Sequence, residues 1–243
     1  MTPRFLTGTV LKRRSFREED RFITIFTDEL GKVELLAKGS RKATSKLAGI
    51  LEPATRIRVG MVRGRSFDRL TSARALTVYP ALKASLTATV TVGMLLQAVD
   101  LVTAREHPDL LMAAFLRTAL HELDTGTAGP LVLGRGLFVI LHAGGLKPEL
   151  ARCERCSRDL AVDESASLNL TTGGFLCSRE RPPFTTVRVS AATRAVLQQL
   201  EAGQHEADGE AVRTALPIVG RLFEALVERP LTSLRLFPLL QQG

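Results

Sequence analysis

The sequence predicts an α+β multidomain protein: a small N-terminal β-barrel, then a mainly α-helical remainder into which a short cysteine-bearing segment is set. Three observations carry that reading. Up to about Pro80, short runs that mix β-branched and aromatic residues with polar ones repeat at a period near two. Beyond it, apolar residues recur at spacings of three and four, the period of a helix face. Finally, Cys153, Cys156 and Cys177 fall together in a Gly- and polar-rich stretch, 151–183, that has no periodicity of its own. The natural divisions are therefore 1–80 for the barrel and 81–243 for the helical part, with 151–183 as an insertion.

The strands come first, at 7–13, 22–27, 32–37, 56–63 and 73–79. Asp28-Glu29-Leu30-Gly31 reads as a hairpin turn, and Lys38-Gly39-Ser40 opens a polar loop that runs to Lys46. Five strands in this length match the small barrel called the OB-fold. Helices follow. Leu95, Val99 and Val102 share one face; Leu111, Phe115, Ala119 and Leu123 share another; Leu133, Leu137, Ile140 and Leu141 a third. Pro108 or Asp109 starts the second helix, Gly126, Gly129 and Pro130 mark a break, and Gly144-Gly145 with Pro148 closes the third. Two more helices close the chain, 192–201 with Val196, Leu197 and Leu200, and 211–228 with Val212, Leu216, Val219, Phe223 and Leu226 inward. Pro217 is expected to kink or to start a helix there.

With 45% hydrophobic and 24% charged residues in 243, the chain has the profile of an ordered globular protein, which excludes fibrous, collagenous and disulfide-scaffold classes. No run approaches the roughly 18 to 20 uninterrupted apolar residues of a membrane span, since 90–104 is cut by Gln97 and Asp100. The N-terminus passes straight from Met1 into patterned sequence, so a cytosolic location is expected. The net charge of +8 is concentrated: residues 1–80 hold 17 Lys and Arg against 8 Asp and Glu, and the rest hold 16 against 17. Such asymmetry suits either a polyanion partner or a solvated basic face. Its two densest groups are Lys12, Arg13 and Arg14, near Arg17 and Arg21, and the loop residues Lys38, Arg41, Lys42 and Lys46 with Ser40, Thr44 and Ser45. Phe16, Phe22, Phe26 and Phe67 lie in the same domain. Most are expected in the barrel core, with Phe16, amid charges, the one expected to be exposed for base stacking.

Cys153 and Cys156 form a Cys-x2-Cys pair, and Gly173-Gly174-Phe175 leads into Cys177. Such a turn points two thiolates at one tetrahedral ion, as in a zinc ribbon, where a second turn supplies the other pair. Here Glu180 stands where a fourth cysteine would be. Glu180, His142 or His205 completes a zinc site, or the metal is weakly held. A thioredoxin-like reading lacks the flanking strand and helix, and a zinc deaminase reading lacks the upstream His-x-Glu. There is no phosphate-binding Gly-rich loop, no nucleophile elbow, and His121-Glu122 lacks a second histidine at Thr125. The residues suggest a binding protein, not an enzyme. An OB-fold RNA-binding or translation-associated factor is the alternative to a DNA-binding one.

The order of several pieces resembles one family. Val10-Leu11-Lys12 leads to 15–21, then Phe26-Thr27-Asp28-Glu29-Leu30-Gly31-Lys32, then Ala37-Lys38-Gly39-Ser40-Arg41-Lys42, then Leu51-Glu52-Pro53, with Glu228-Arg229-Pro230-Leu231-Thr232-Ser233 near the end. These pieces, with the Cys-x2-Cys and Gly-Gly-x-x-Cys elements, resemble the RecO family of bacterial recombination mediators over nearly the whole chain. The resemblance implies an OB-fold followed by a helical bundle with a zinc-binding insertion holding one structural Zn(2+). It implies DNA repair by homologous recombination: binding single- and double-stranded DNA, annealing complementary strands and, with RecR, helping RecA replace single-strand-binding protein, whose acidic C-terminal tail is a further expected contact. It also implies a cytoplasmic, nucleoid-associated protein. The chain departs from the metal-bearing members at Glu180, while Lys38, Arg41 and Lys42 match the family's basic loop.

Overall fold

The computed structural model describes residues 3–180 and 184–240, so 181–183, the last residues of the expected insertion, lie outside it. Five strands, β1 (Arg4–Phe16), β2 (Asp20–Thr27), β3 (Gly31–Ala37), β4 (Arg56–Val62) and β5 (Arg69–Thr77), close a barrel in the order β1-β2-β3-β5-β4. Alternation builds its interior: Ile23 and Ile25 on β2, Val33, Leu35 and Ala37 on β3, and Ile57, Val59 and Met61 on β4 meet Leu6, Val10 and Leu51. β1 serves two partners, pairing β4 through Arg4–Thr9 and β2 from Gly8 onward. Gly8 sits where the two ladders overlap, and a Cβ there would lie 2.3 Å from the Phe26 carbonyl oxygen. A bulge between Val10 and Lys12 then turns the strand around the barrel.

A four-residue helix, α1 (Leu47–Ile50), packs Leu47 and Ile50 against the core between β3 and β4. The strand expected at 73–79 begins and ends earlier, because Tyr79 is the buried residue before α2 (Pro80–Ala84) and Pro80, with its fixed φ, opens that helix. Ser85 caps α3 (Leu86–Val102) and Asp109 caps α4 (Leu110–Asp124), each accepting a backbone amide of the first turn. The Asp109 cap sets a helix phase that buries Met112, Leu116, Ala119, Leu120 and Leu123. Leu111, expected inside, is 82% exposed, and Phe115 is only partly buried.

Met1–Gly126 and Thr127–Gly243 are the two compact units, so α2 to α4 share a unit with the barrel. Asp100 of α3 accepts Lys12 and Lys32, and Arg117 of α4 joins Arg56 at Asp28. No helix among the described residues is long and apolar enough to cross a membrane.

In the second unit, α5 (Gly129–Ala143) starts at the expected Gly-Pro break and buries Leu133, Leu137, Ile140 and Leu141. It packs against α6 (Ala191–Glu201) and α7 (Gly209–Val227). α7 runs through Pro217 and buries Val212, Leu216, Val219 and Phe223, so the proline lies inside the helix and does not start it. A 3-10 helix (Thr232–Leu240) follows. Between α5 and α6, the segment that shows no period in the sequence contributes two strands to a three-stranded antiparallel sheet, and the third lies just beyond its expected end at 183. The strands are β6 (Ala166–Asn169), β7 (Phe175–Leu176) and β8 (Thr186–Val189), in the order β7-β6-β8. Strands of two to four residues are too short to display an alternation.

Candidate nucleic-acid interface and metal centre

The polar loop after β3 is anchored rather than free. Ser40 is fully buried and its hydroxyl donates to the Ala37 carbonyl at 2.9 Å. Gly39, at φ +63°, directs its amide to the Asp20 carboxylate at 2.8 Å. The Arg41 amide donates to the Glu19 carbonyl at 2.9 Å, and its guanidinium to the Arg17 carbonyl at 3.2 Å. Lys42 meets the Glu19 carboxylate at 3.1 Å, both groups more than half exposed. These bonds lay the 38–46 loop on the β1–β2 turn, so that Arg17, Arg41 and Lys42 share one end of the barrel. Lys38 and Lys46 are exposed and have no ion pair among the described residues. The Lys42–Glu19 pair, being exposed, contributes about 0–1 kcal/mol and yields readily to a phosphate.

The other basic group is engaged with acids of its own unit, and only Arg14 reaches the aromatic residues of this end. Lys12 meets Asp100 at 2.6 Å, Arg13 pairs with Glu52, and Arg14 lies 3.8 Å from Glu34 and 4.7 Å above the Phe22 ring. Their charge is in part neutralised within the unit. A loop that sequence reasoning passed over arrives instead: 63–68 is drawn to β3 by the Leu36 amide, which donates to the Asp68 carbonyl at 2.8 Å. It brings exposed Arg65 and Phe67, with Arg69 following. The Arg63-Gly64-Arg65-Ser66-Phe67 pattern, two cations leading into an aromatic, was the available signal.

Phe16, Phe22 and Phe67 form one aromatic cluster, with ring centroids 4.7 Å (Phe16–Phe22), 4.9 Å (Phe22–Phe67) and 5.9 Å (Phe16–Phe67) apart. Phe22 is its buried centre and Phe67 its open member, 46% exposed. Phe16 is only partly exposed, with Arg17 5.2 Å from its ring, because its strand neighbour Phe22 offers a ring to pack on. The exposed ring is thus Phe67, not Phe16, while Phe26 is buried as expected. A cavity of about 360 Å³ opens beside Phe67 between Leu36, Val62, Arg65 and Arg69.

The second centre is built by two turns. In the first, the Ser157 amide donates to the Cys153 carbonyl and the Cys153 amide to the Arg158 carbonyl, each at 2.8 Å. In the second, after β7, the Glu180 amide donates to the Cys177 carbonyl at 3.1 Å. The Sγ atoms of Cys153, Cys156 and Cys177 all lie within 4.8 Å of one another, with Cys156 and Cys177 3.8 Å apart. Thiolates about 2.3 Å from a tetrahedral zinc would stand about 3.8 Å from each other, so the trio fits a metal ion. Burial disfavours the Cys153 thiolate, yet the amides of Cys156, Cys177 and Arg155 outweigh it and bring that thiol down to about 7, which favours a metal-binding sulfur at neutral pH. Beside Cys177, Arg158 holds Glu164, whose carboxyl is pulled down to about 2 by that guanidinium and by donors from Ser178 and Ala161.

Among the described residues, no fourth Cys, His, Asp or Glu joins the trio. Glu180 pairs with Arg155 at 3.3 Å, His142 faces Glu201 at 3.4 Å, and His205 contacts Arg135. What the three thiols can do is hold an ion between two turns and so tie the segment together.

An OB-like barrel with a basic, aromatic end, joined to helices that carry a three-thiol centre, defines the class: a barrel protein with a cysteine insertion able to hold a metal ion. Comparison with known proteins makes it specific. Residues 4–79 match the family described as Recombination protein O N terminal, and 84–235 the family described as Recombination protein O C terminal. Relatives named DNA repair protein RecO include one from Bifidobacterium longum and one from Thermobifida fusca, each 30% identical with 94% of this chain and 96% of the relative covered. Another, from Nocardioides sp., is 31% identical over 72% of each chain. The chain belongs to the RecO family, and its role lies in DNA repair and recombination.

Proposed function

We propose that this chain binds single- and double-stranded DNA through the barrel, residues 1–80, and anneals complementary strands without bond chemistry of its own. The observation that carries the reading is the convergence of the 38–46 loop, the β1–β2 turn and the 63–68 loop on the Phe16–Phe22–Phe67 cluster. Annealing requires that two phosphate backbones be screened from each other while bases stay free to pair. Lys38, Arg41, Lys42 and Lys46, with Arg17 and Arg65, supply movable positive charge. Phe67 offers an open ring on which a base can stack, an interaction that tolerates any sequence. Lys12, Arg13 and Arg14, engaged with Asp100, Glu52 and Glu34, contribute by exchanging those partners for phosphates.

The helical part, 81–243, serves as the platform for protein contacts, with RecR and the acidic tail of single-strand-binding protein as partners and RecA loading as the result. In the 151–183 insertion, Cys153, Cys156 and Cys177 hold one structural zinc, and Glu180, by leaving Arg155, or another group supplies the fourth ligand. The metal's contribution there is cohesion. The setting is the bacterial cytoplasm, at the nucleoid.

The test is the rate at which complementary oligonucleotides coated with single-strand-binding protein anneal, with and without this protein, across a salt series. Acceleration that fades as salt rises is expected. Acceleration absent at every salt concentration overturns the annealing reading, and a preference for RNA over DNA of equal length would favour an RNA-binding factor.

A further inference from the structure

At the opposite end of β1 from Phe16, the barrel presents a wall with a different character. Phe5 is 55% exposed, an unusual position for a phenylalanine. Its register partner on β4 is Gly60, and a Cβ there would stand 3.4 Å from the Phe5 ring and 2.7 Å from the Ser72 and Thr71 hydroxyls. The bare glycine is what lets the ring lie over the sheet with its other face open. Arg58 lies 5.4 Å from the ring centroid. Directly across from Arg58 on β5 is Arg74, and both are exposed.

Two arginines in cross-strand register repel, a destabilising arrangement unless something negative lies on them. Several other cations on the strands are matched, Arg56 by Asp28, Lys12 by Asp100, Arg14 by Glu34, and Arg63 by Asp68 and Glu106. Neither Arg58 nor Arg74 has a carboxylate within ion-pair reach among the described residues. The acids at the near turn are engaged already, Asp28 by Arg56 and Arg117, and Glu29 by the Thr7 amide at 2.9 Å. A shallow depression of about 330 Å³ joins Phe5, Arg58, Ser72 and Arg74.

We propose that the β1–β4–β5 wall is a second seat for single-stranded nucleic acid, with a base stacked on Phe5 and successive phosphates on Arg58 and Arg74. An open ring beside two unmatched cations is complementary to a base beside its phosphates. The inference rests on the annealing reading and deepens it: with one strand at the Phe67 end and another on this wall, a single barrel keeps two strands close together, and the unstacked bases that extend past it are free to pair.

The experiment photo-crosslinks the full chain to an oligothymidylate bearing iodouracil and maps the modified peptides. Crosslinks are expected both on the peptide containing Phe5 and on that containing Phe67. The substitution Phe5→Leu, which keeps bulk at an exposed site, removes the first and leaves the second; Phe5→Tyr restores it. Replacing Arg58 and Arg74 together by Gln lowers the annealing rate by about tenfold and the salt slope of oligonucleotide binding by about 0.7 per arginine. Crosslinks confined to the Phe67 end overturn the second seat and leave the first reading standing. Crosslinks at neither end overturn both.

Discussion

The barrel and the cysteine segment solve the same problem with different means. Around the barrel, eleven buried apolar residues from four strands and the loop residue Leu51 meet in one cluster, and each strand contributes because its inner face alternates with its outer one. In the cysteine segment, Cys153, Leu176 and Cys177 form a small buried cluster with Leu160 against it, and Leu168 and Phe175 are buried nearby on the strands. Two members of that small cluster are thiols that approach a third, Cys156. Three thiols this close could hold an ion, and coordination would then add to what apolar burial contributes there. The lesson is that hydrophobic patterning announces a region that folds by burial, whereas cysteine spacing announces a turn able to hold an ion.

Metal removal gives the largest separation between the two. Protein prepared without chelator is expected to carry about one zinc per chain by elemental analysis, and Cys153→Ser to carry none. Limited proteolysis of that variant should cut within 151–180 while the barrel resists. Metal-free protein with an equally resistant segment would break the comparison.

The barrel should respond instead to small steric changes. Gly31, at φ +65°, turns β2 into β3, and a Cβ there would lie 2.0 Å from the His107 carbonyl oxygen. Gly31→Ala is expected to lower stability by about 1–3 kcal/mol, read as a drop in the thermal midpoint, without loss of zinc.

A smaller effect sharpens the electrostatics of the cysteine segment. Because Arg158, foremost, holds the Glu164 carboxyl at about 2, below its unfolded value, this pair stabilises the fold above the ordinary carboxylate range and loses its contribution as the pH falls toward 2. Between about pH 5 and 2.5, the melting temperature of the wild type should fall more than that of Glu164→Gln. Equal falls would show that the pair contributes nothing to the fold.

Much of this was legible in the sequence. The five strands could be read because Ile23, Ile25, Val33 and Leu35 alternate with residues of the other face, and the three cysteines because their spacing is that of a turn aimed at a metal. What could not be read depended on tertiary register. Leu111 looked like a core residue until the Asp109 cap fixed the phase of α4. Phe16 looked exposed among charges, but its strand neighbour Phe22 and the incoming Phe67 half-cover it. Glu180 occupies the position of a fourth ligand, and its turn is formed, yet Arg155 is close enough to take its carboxylate. Arg58 and Arg74 are separated in sequence by a whole connection, so their juxtaposition is visible only once β4 and β5 are paired.

The basic end of the barrel carries the proposed DNA binding, and the most direct measurement is oligothymidylate binding by fluorescence anisotropy over a salt series. It compares the wild type with a variant in which Lys38, Arg41 and Lys42 are all replaced by Gln. The variant is expected to keep its thermal midpoint, to lose about tenfold or more in affinity at low salt, and to show a log–log salt slope shallower by about 0.7 for each charge removed. An identical slope and affinity in the two proteins would contradict the proposed binding.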